Sequence, residues 1–497
     1  MVRIIPSLIA ILASADAARR LHVNPLSLIA DSIKAESPQI EDAVARELFF
    51  DKQLLDHSAQ ACGGEPKYWS HRYFVNDAYY KGPGSPVFLE IEGESPADPF
   101  WITSERVVMV DIAKKVGALL VSIEHRFYGK SQPLPDWSLD SFKYLSMRQV
   151  IDDIAHFQDF FTESYNLTKG TKWVNFGGSY PGQLTAYTKL LYPERFAGAV
   201  ASSATINLIT DFPGYAETVA YDLKQKGGQK CLDTLREGLK ALHKLVDSNK
   251  TEDKATLNKL FSPCEDIVTV RDKATFEASV FGTFQGFAQG NDYSAYNVTS
   301  ACIDINANDG LTPLEKLAKV QATSFTVNQN CTAANYESEW LGPYTNTTSG
   351  DIAAARQYQY TMCLEGGGAQ TTADSDSPFN ELKHVTLDNI WYPVCKEAYG
   401  LSRETVDASL KKALAYYQGI HPNVENVVFS SGTFDPWRGL CLDNSSVLLH
   451  NSSKVVYIEG TSHCDDMIYR KVDYNTAPLI WARQAIEAKV REFVGIP

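Results

Sequence analysis

The segment WVNFGGSYPG, residues 173–182, sets Ser179 between an apolar run and a helix-like run, with Gly177 and Gly178 before it and Gly182 after it. A serine hydroxyl is a weak nucleophile until an adjacent base takes its proton. Two later segments offer partners: Asp435 follows NVVFSS in SGTFDPW, and His463 follows KVVYIEG in GTSHCDD. In that arrangement His463 accepts the proton of Ser179 and returns it to the leaving group, while Asp435 fixes the imidazole tautomer and stabilises its charged form. The chemistry is acyl transfer through a covalent intermediate. Taken singly, Asp435 also reads as a turn residue before Pro436, and His463 as a loop histidine. Three such residues in the order Ser, Asp, His, each just past a strand-like run, read as a triad. Asp465 and Asp466 compete for the acid role and rank below Asp435, because they follow the same strand as His463.

A serine on a turn between strand and helix resembles the nucleophile elbow of α/β-hydrolases. Small neighbours are needed there because sheet and helix approach closely. Pro181 departs from the usual G-x-S-x-G pattern, which wants glycine at that place. An oxyanion hole needs two preorganised backbone donors. One is expected from the N–H of Tyr180. The other is expected from the loop after VFLEI, at Gly93 or Glu94 of IEGES, where Gly93 also reads as a plain turn glycine.

Elements that could position these residues follow from periodicity. FFDKQLLDHS opens a region of strands, and YWSHRYFVNDAYY, Tyr68 to Tyr80, reads as a hairpin about its central Asn-Asp. SPVFLEIEG and GALLVSIEHR are short apolar runs separated by the helix-like FWITSERVVMVDIAKKVG, a strand–crossover–strand unit. SMRQVIDDIAHFQDFFTESY has helical spacing of its apolar residues. The alternation implies a mostly parallel sheet with helices on both faces, an α/β fold. Residues 205–420 change to longer helical segments such as CLDTLREGLKALHKLVDS and TPLEKLAKVQATSF, an inserted and mainly helical cap. The α/β pattern resumes over 421–497, so the first part of the hydrolase domain is expected at 46–204. EGGGAQTTADSDSP reads as a mobile loop.

With 497 residues the chain is roughly three times the span of a typical ~150-residue domain. Its net charge of -14 lacks the basic footprint that nucleic acid needs. Residues 1–18 have the form of a secretory signal peptide, with Arg3, an apolar run to Leu12 and small residues at Ala13, Ala15 and Ala17. Residues 19–45 read as a lead-in or propeptide, and no later run is long enough for a membrane span. Sequons at Asn166, Asn249, Asn297, Asn330, Asn346, Asn444 and Asn451 mark glycosylation sites in a secreted chain. The nine cysteines form no C-x-x-C pair and no His/Cys cluster, so no metal site is expected and disulfides are. No motif for a nucleotide or other cofactor is present, and the odd cysteine count leaves one thiol free or bonded to another chain.

The segments FDKQLLDH, WSHRYFVNDAYY, IEGES, EHRFYGKSQP, YLSMRQVIDDIAHF, WVNFGGSYPG, GTFDPW and GTSHCDDM run in this order from about Phe50 to Met467. Together they resemble the family of prolyl carboxypeptidase, dipeptidyl peptidase II and thymus-specific serine protease. The resemblance implies an α/β-hydrolase with a helical cap, the triad Ser179, Asp435 and His463, and cleavage of peptides after proline, often best at acidic pH, in lysosomes, vacuoles or outside the cell. It implies that Trp437 walls an apolar proline pocket, where the residue alone reads equally as core. In YTMCLEGGG, Met362, Cys363 and Glu365 resemble the cap segment usually written TCTEFG, which implies substrate contact at Met362 and Glu365 and a disulfide from Cys363 to Cys395. Leu364 and Gly366 to Gly368 depart from that segment. Within EHRFYG a buried structural ion pair involving Glu124 and Arg126 is expected, and Cys464 is expected as a packed or disulfide-bonded thiol rather than a nucleophile.

Carboxypeptidase, dipeptidyl peptidase and endopeptidase activities stay open, as do monomer and homodimer. An esterase or lipase is the second reading, since the same triad serves esters. A non-catalytic binding protein is the third, and the complete triad counts against it.

Overall fold

The computed structural model describes residues 30–31, 34, 44–58, 65–291, 294, 296–325, 330–349, 355–470 and 475–497. The expected signal peptide, nearly all of the lead-in and Cys62 lie outside them.

Eight strands form one sheet in the order β1-β2-β4-β3-β5-β6-β7-β8. They are β1 (Arg46–Leu54), β2 (Tyr68–Asn76), β3 (Val87–Ile91), β4 (Leu119–Ile123), β5 (Trp173–Gly178), β6 (Gly198–Ser202), β7 (Val427–Gly432) and β8 (Lys454–Ile458). β2 is antiparallel to both β1 and β4, and every other neighbouring pair is parallel. This is the α/β-hydrolase fold.

Buried parallel strands read as apolar runs because both faces are covered. In β3 the alternation is still visible: Val87, Leu89 and Ile91 join one core, while Phe88 joins the other. The first core is closed by α2 (Met147–Ser164) and α3 (Tyr180–Leu191), which follow α1 (Val108–Val116) in the chain. The second is closed by α1 and by the C-terminal helix Ala477–Val494. The helix α2 buries Val150, Ile151, Ile154, Phe157 and Phe161 on one stripe, each worth roughly 1.5–3 kcal/mol of transfer free energy. Its first turn is capped by Ser146 Oγ, which accepts from the Gln149 N–H.

Between β6 and β7 the described elements are all helical. The longest, α4 (Gly214–Asp247), bends at Gly228, and α5 (Val270–Gln289) packs beside it in a separate apolar cluster. The disulfides Cys231–Cys302, Cys264–Cys331 and Cys363–Cys395 all lie in this helical layer. Among the described residues no helix is long and apolar enough to cross a membrane.

Two expectations are corrected here. The hairpin is β1 with β2, not a fold within Tyr68–Tyr80: Asn76 ends β2 and its side chain donates to Ile102 O at 2.7 Å. EGGGAQ is packed, not free: Gly368 and Ala369 donate to Ile209 O and Thr210 O at 2.7 and 2.9 Å.

Candidate active site

The sheet brings three loops to one edge. Across the register Gly178 lies opposite Ser202, Ser202 opposite Ser430, and Gly432 opposite Ile458. Ser179, Asp435 and His463 therefore leave the carboxyl ends of β5, β7 and β8 on the same side, the usual place for a site in an open α/β sheet.

Ser179 joins β5 to α3 with φ 61° and ψ −128°, a conformation that costs a non-glycine residue of order 1–3 kcal/mol. Its N–H donates to Ser202 O at 2.8 Å, which anchors the turn to β6. The flanking glycines are needed for close approach. A Cβ at Gly177 would stand 2.6 Å from Pro181 O, and one at Gly182 would stand 2.7 Å from Ser202 O. Pro181 is accommodated because it sits in the first turn of α3, where an N–H has no intrahelical acceptor.

Asp435 and His463 are both fully buried. His463 Nδ1 lies 2.9 and 3.0 Å from the two carboxylate oxygens of Asp435. The two loops are laced by backbone bonds from Thr433 N to Ile458 O and from Phe434 N to Thr461 O, both 2.9 Å. Burial opposes protonation of His463, but the Asp435 carboxylate outweighs it and holds the imidazole well above its usual range. His463 Nε2 is buried and has no hydrogen-bond partner among the described residues.

The IEGES loop rests on the elbow: a Cβ at Gly93 would come within 2.4 Å of Pro181 Cγ. That contact puts the backbone of Gly93 and Glu94 beside Tyr180, as a second oxyanion donor requires. The Glu94 side chain is buried, with no hydrogen-bond partner for Oε2 among the described residues. Burial pushes its carboxyl up to about 7, against the pull of its own N–H and of His463. Tyr180 is held by His125, whose Nε2 is 3.0 Å from the phenolic oxygen. Burial lowers His125 to about 4, so the ring is neutral. His125 lies inside EHRFYG, the one sequence signal that could have found it.

Beside the elbow lies a largely apolar cavity walled by Trp437, Met362, Tyr358, Phe281, Trp340 and Trp391 among others. Tyr358 meets Tyr180 edge-on at 6.0 Å, which joins the cavity to the nucleophile turn. Trp437 stacks on Phe212, meets Tyr215 edge-on, and donates from Nε1 to Gln289 Oε1 at 3.1 Å. Its own N–H donates to Asp435 Oδ1 at 2.9 Å, so the cavity wall and the carboxylate that meets His463 share one turn. Glu365 is not among the residues that line this cavity. Its carboxylate accepts from the Met147 N–H at 2.6 Å, at the N-terminus of α2, where the helix dipole favours an acid.

Glu124 and Arg126 do not pair with each other. Glu124 accepts from Arg72 on β2, and Arg126 donates to Asp153 on α2 through Nε and Nη2, both at 2.6 Å. Neither Asp465 nor Asp466 faces His463 in a hydrogen bond: Asp465 pairs with Arg470, and Asp466 accepts from Ser202 and Ser430. Cys441 and Cys464 are buried free thiols, both pushed up by burial and so poor nucleophiles. Cys363 and Cys395 are bonded. Of the seven sequon asparagines, six are exposed and Asn297 is half-buried, capping a helix through Ser300.

Comparison with known proteins identifies the family. Residues 53–486 match the serine carboxypeptidase S28 family. Mouse (Mus musculus) thymus-specific serine protease is 29% identical over 436 residues, covering 85% of this chain and 83% of that protein. The human (Homo sapiens) thymus-specific serine protease is 27% identical over 409 residues, covering 80% and 77%. Among solved structures, the Pyrobaculum calidifontis esterase aligns with a TM-score of 0.38 and 11% identity, covering 97% of this chain and 94% of that one. The chain belongs to the serine carboxypeptidase S28 family and is a serine peptidase.

Proposed function

We propose that the protein is an exopeptidase of the secretory pathway, acting outside the cell or in a lysosome or vacuole, that hydrolyses peptide bonds after proline. The observation that carries the substrate class is the cavity wall at Trp437. A rigid, apolar indole two residues beyond the triad acid, in a cavity that Met362 and Tyr358 also line, suits the flat pyrrolidine ring of proline. The three disulfides in the helical layer support an oxidising compartment.

In this reading Ser179 Oγ attacks the carbonyl carbon of proline as His463 Nε2 takes its proton. The tetrahedral oxyanion is held by the N–H of Tyr180 and an N–H of the Gly93–Glu94 turn. His463 then protonates the leaving amine, and the same base activates water to release the acyl group. Asp435 keeps the Nδ1 proton in place and stabilises the imidazolium. The exposed sequons are read as glycan sites of a secreted chain.

The test compares the purified protein with its Ser179→Ala variant on blocked and free-amino peptides that carry internal or penultimate proline, at mildly acidic and neutral pH. Product masses identify the bond cut. Cleavage after proline that vanishes in the variant supports the reading, and the released fragment separates carboxypeptidase, dipeptidyl peptidase and endopeptidase. Ester turnover without proline-directed cleavage would sink the substrate assignment.

A further inference from the structure

No window of the sequence holds a cluster of metal ligands, yet the helical layer folds three distant residues into one. His243 near the end of α4, Glu277 on α5, and His384 in the loop before Leu387 each present a ligand atom, and the three atoms lie within 4.8 Å of one another. Glu277 is fully buried, and both imidazoles are half-buried. Glu277 Oε1 is 2.7 Å from His243 Nδ1, while Oε2 accepts the backbone N–H of His384 at 2.8 Å. Asp247, one helical turn beyond His243, lies beside the group, with Oδ1 2.8 Å from His384 Nε2 and Oδ2 3.4 Å from His243 Nε2.

We propose that His243, Glu277 and His384 form a binding site for a divalent cation of the zinc type. Two imidazole nitrogens and one carboxylate oxygen are the three protein ligands of an open four-coordinate Zn²⁺ site, whose fourth position is left to water. At bond lengths of about 2.0–2.2 Å, tetrahedral ligand atoms stand roughly 3.3 Å apart, inside the 4.8 Å within which these three atoms already lie. The surroundings hold the donors as an outer shell does. The His384 N–H orients the Glu277 carboxylate, and Asn389 Nδ2 donates to His384 O at 2.8 Å. Lys273 donates to Asp247 Oδ1 at 2.8 Å, which keeps that carboxylate paired beside the group.

The position gives the site a consequence. Ala278 and Phe281 follow Glu277 on α5, and Val385 and Thr386 follow His384; all four line the apolar cavity. A cation at this place ties two walls of the cavity together from behind. A hydrogen-bonded network without an ion would use the same contacts, so the two accounts differ in what the cluster retains.

The test reads metal retention and is independent of the substrate assignment. Full-length protein is stripped with a chelator, loaded with Zn²⁺, dialysed into metal-free buffer and assayed by elemental mass spectrometry. One zinc per chain is expected in the wild type and none in His243→Gln or His384→Gln, with circular dichroism showing that both variants fold. Co²⁺ in place of Zn²⁺ should give the strong visible bands of a four-coordinate site in the wild type alone. Zinc should raise the Tm of the wild type and not that of the variants. A wild type that retains no zinc, or variants that retain as much, would overturn the proposal.

Discussion

Asp435 meets His463 Nδ1 with both carboxylate oxygens, at 2.9 and 3.0 Å, and so commits the proton of a neutral ring to that nitrogen. The lone pair is left on Nε2, which is buried without a partner. An amide at 435 could donate to Nδ1 and stabilise the wrong tautomer. Asp435→Asn is expected to lower kcat by about 10⁴-fold with little change in KM. Steady-state kinetics on an ester and a peptide check this, and a loss below tenfold would remove Asp435 from the role.

The same carboxylate sets a pH dependence. Against the effect of burial, it holds His463 in its charged form to a higher pH than an ordinary imidazole. A charged ring cannot accept the Ser179 proton, so kcat/KM should fall as pH drops through the raised value. The acid limb of the profile should lie above the usual imidazole pKa of about 6.5 and move down in Asp435→Asn. This runs against the acidic optimum that the family resemblance implies, and a limb below the ordinary value would decide for the resemblance.

Trp437 offers a test of the cavity that leaves the triad intact. Trp437→Ala removes the indole and its bond to Gln289 but keeps the backbone N–H that Asp435 accepts. Truncating this half-buried aromatic wall should raise KM for proline substrates by about tenfold or more, with a smaller effect on kcat. Unchanged discrimination between proline and alanine substrates would mean that the indole is core and not pocket.

Buried acids make a second pH prediction, on stability. Burial pushes Glu90 up to about 8 and Glu94 and Glu365 up to about 7, and lifts Glu92 well above its usual value. Each holds a proton in the fold that the unfolded chain has lost, so stability falls as pH rises through this range. His71 and His125, which burial lowers to about 4, act with the opposite sign, but only below the unfolded imidazole value of 6.5. Between pH 6.5 and 8 the acids act without that opposition, and the Tm should decline across this window. A calorimetric Tm that is flat or rising there would contradict it.

Asp153 anchors Arg126, which is fully buried, by two bonds of 2.6 Å. Asp153→Ala strands that guanidinium without its counter-ion and is expected to cost about 3–5 kcal/mol. Chemical denaturation measures the loss. Asp153→Asn, which keeps acceptor capacity, should cost less.

Local periodicity carried the sheet and the elbow. In WVNFGGSYPG the change from an apolar run to a helical spacing happens within ten residues, and the glycines mark where chain crosses chain. Long-range partners had no such trace. Arg72 pairs with Glu124 because β2 lies beside β4, and neither residue's neighbours in sequence announce the other. The partner of β2 is hard to read because β1 does not alternate cleanly: Phe49 is exposed, and Phe50, Gln53 and Leu54 alone are buried. EGGGAQ has a loop composition, but the missing side chains are what let its backbone reach Ile209 and Thr210 and pass close to Trp437. Gln289, which fixes the indole, sits at the end of α5 in no recognisable motif.

The helical layer is inserted between β6 and β7, so Ser179 precedes it in the chain and Asp435 and His463 follow it. The chain that emerges first carries Ser179 after β5 without β7 and β8, the strands that lead to Asp435 and His463. A chain cut anywhere within the helical layer therefore lacks both partners that the proposed acyl transfer requires.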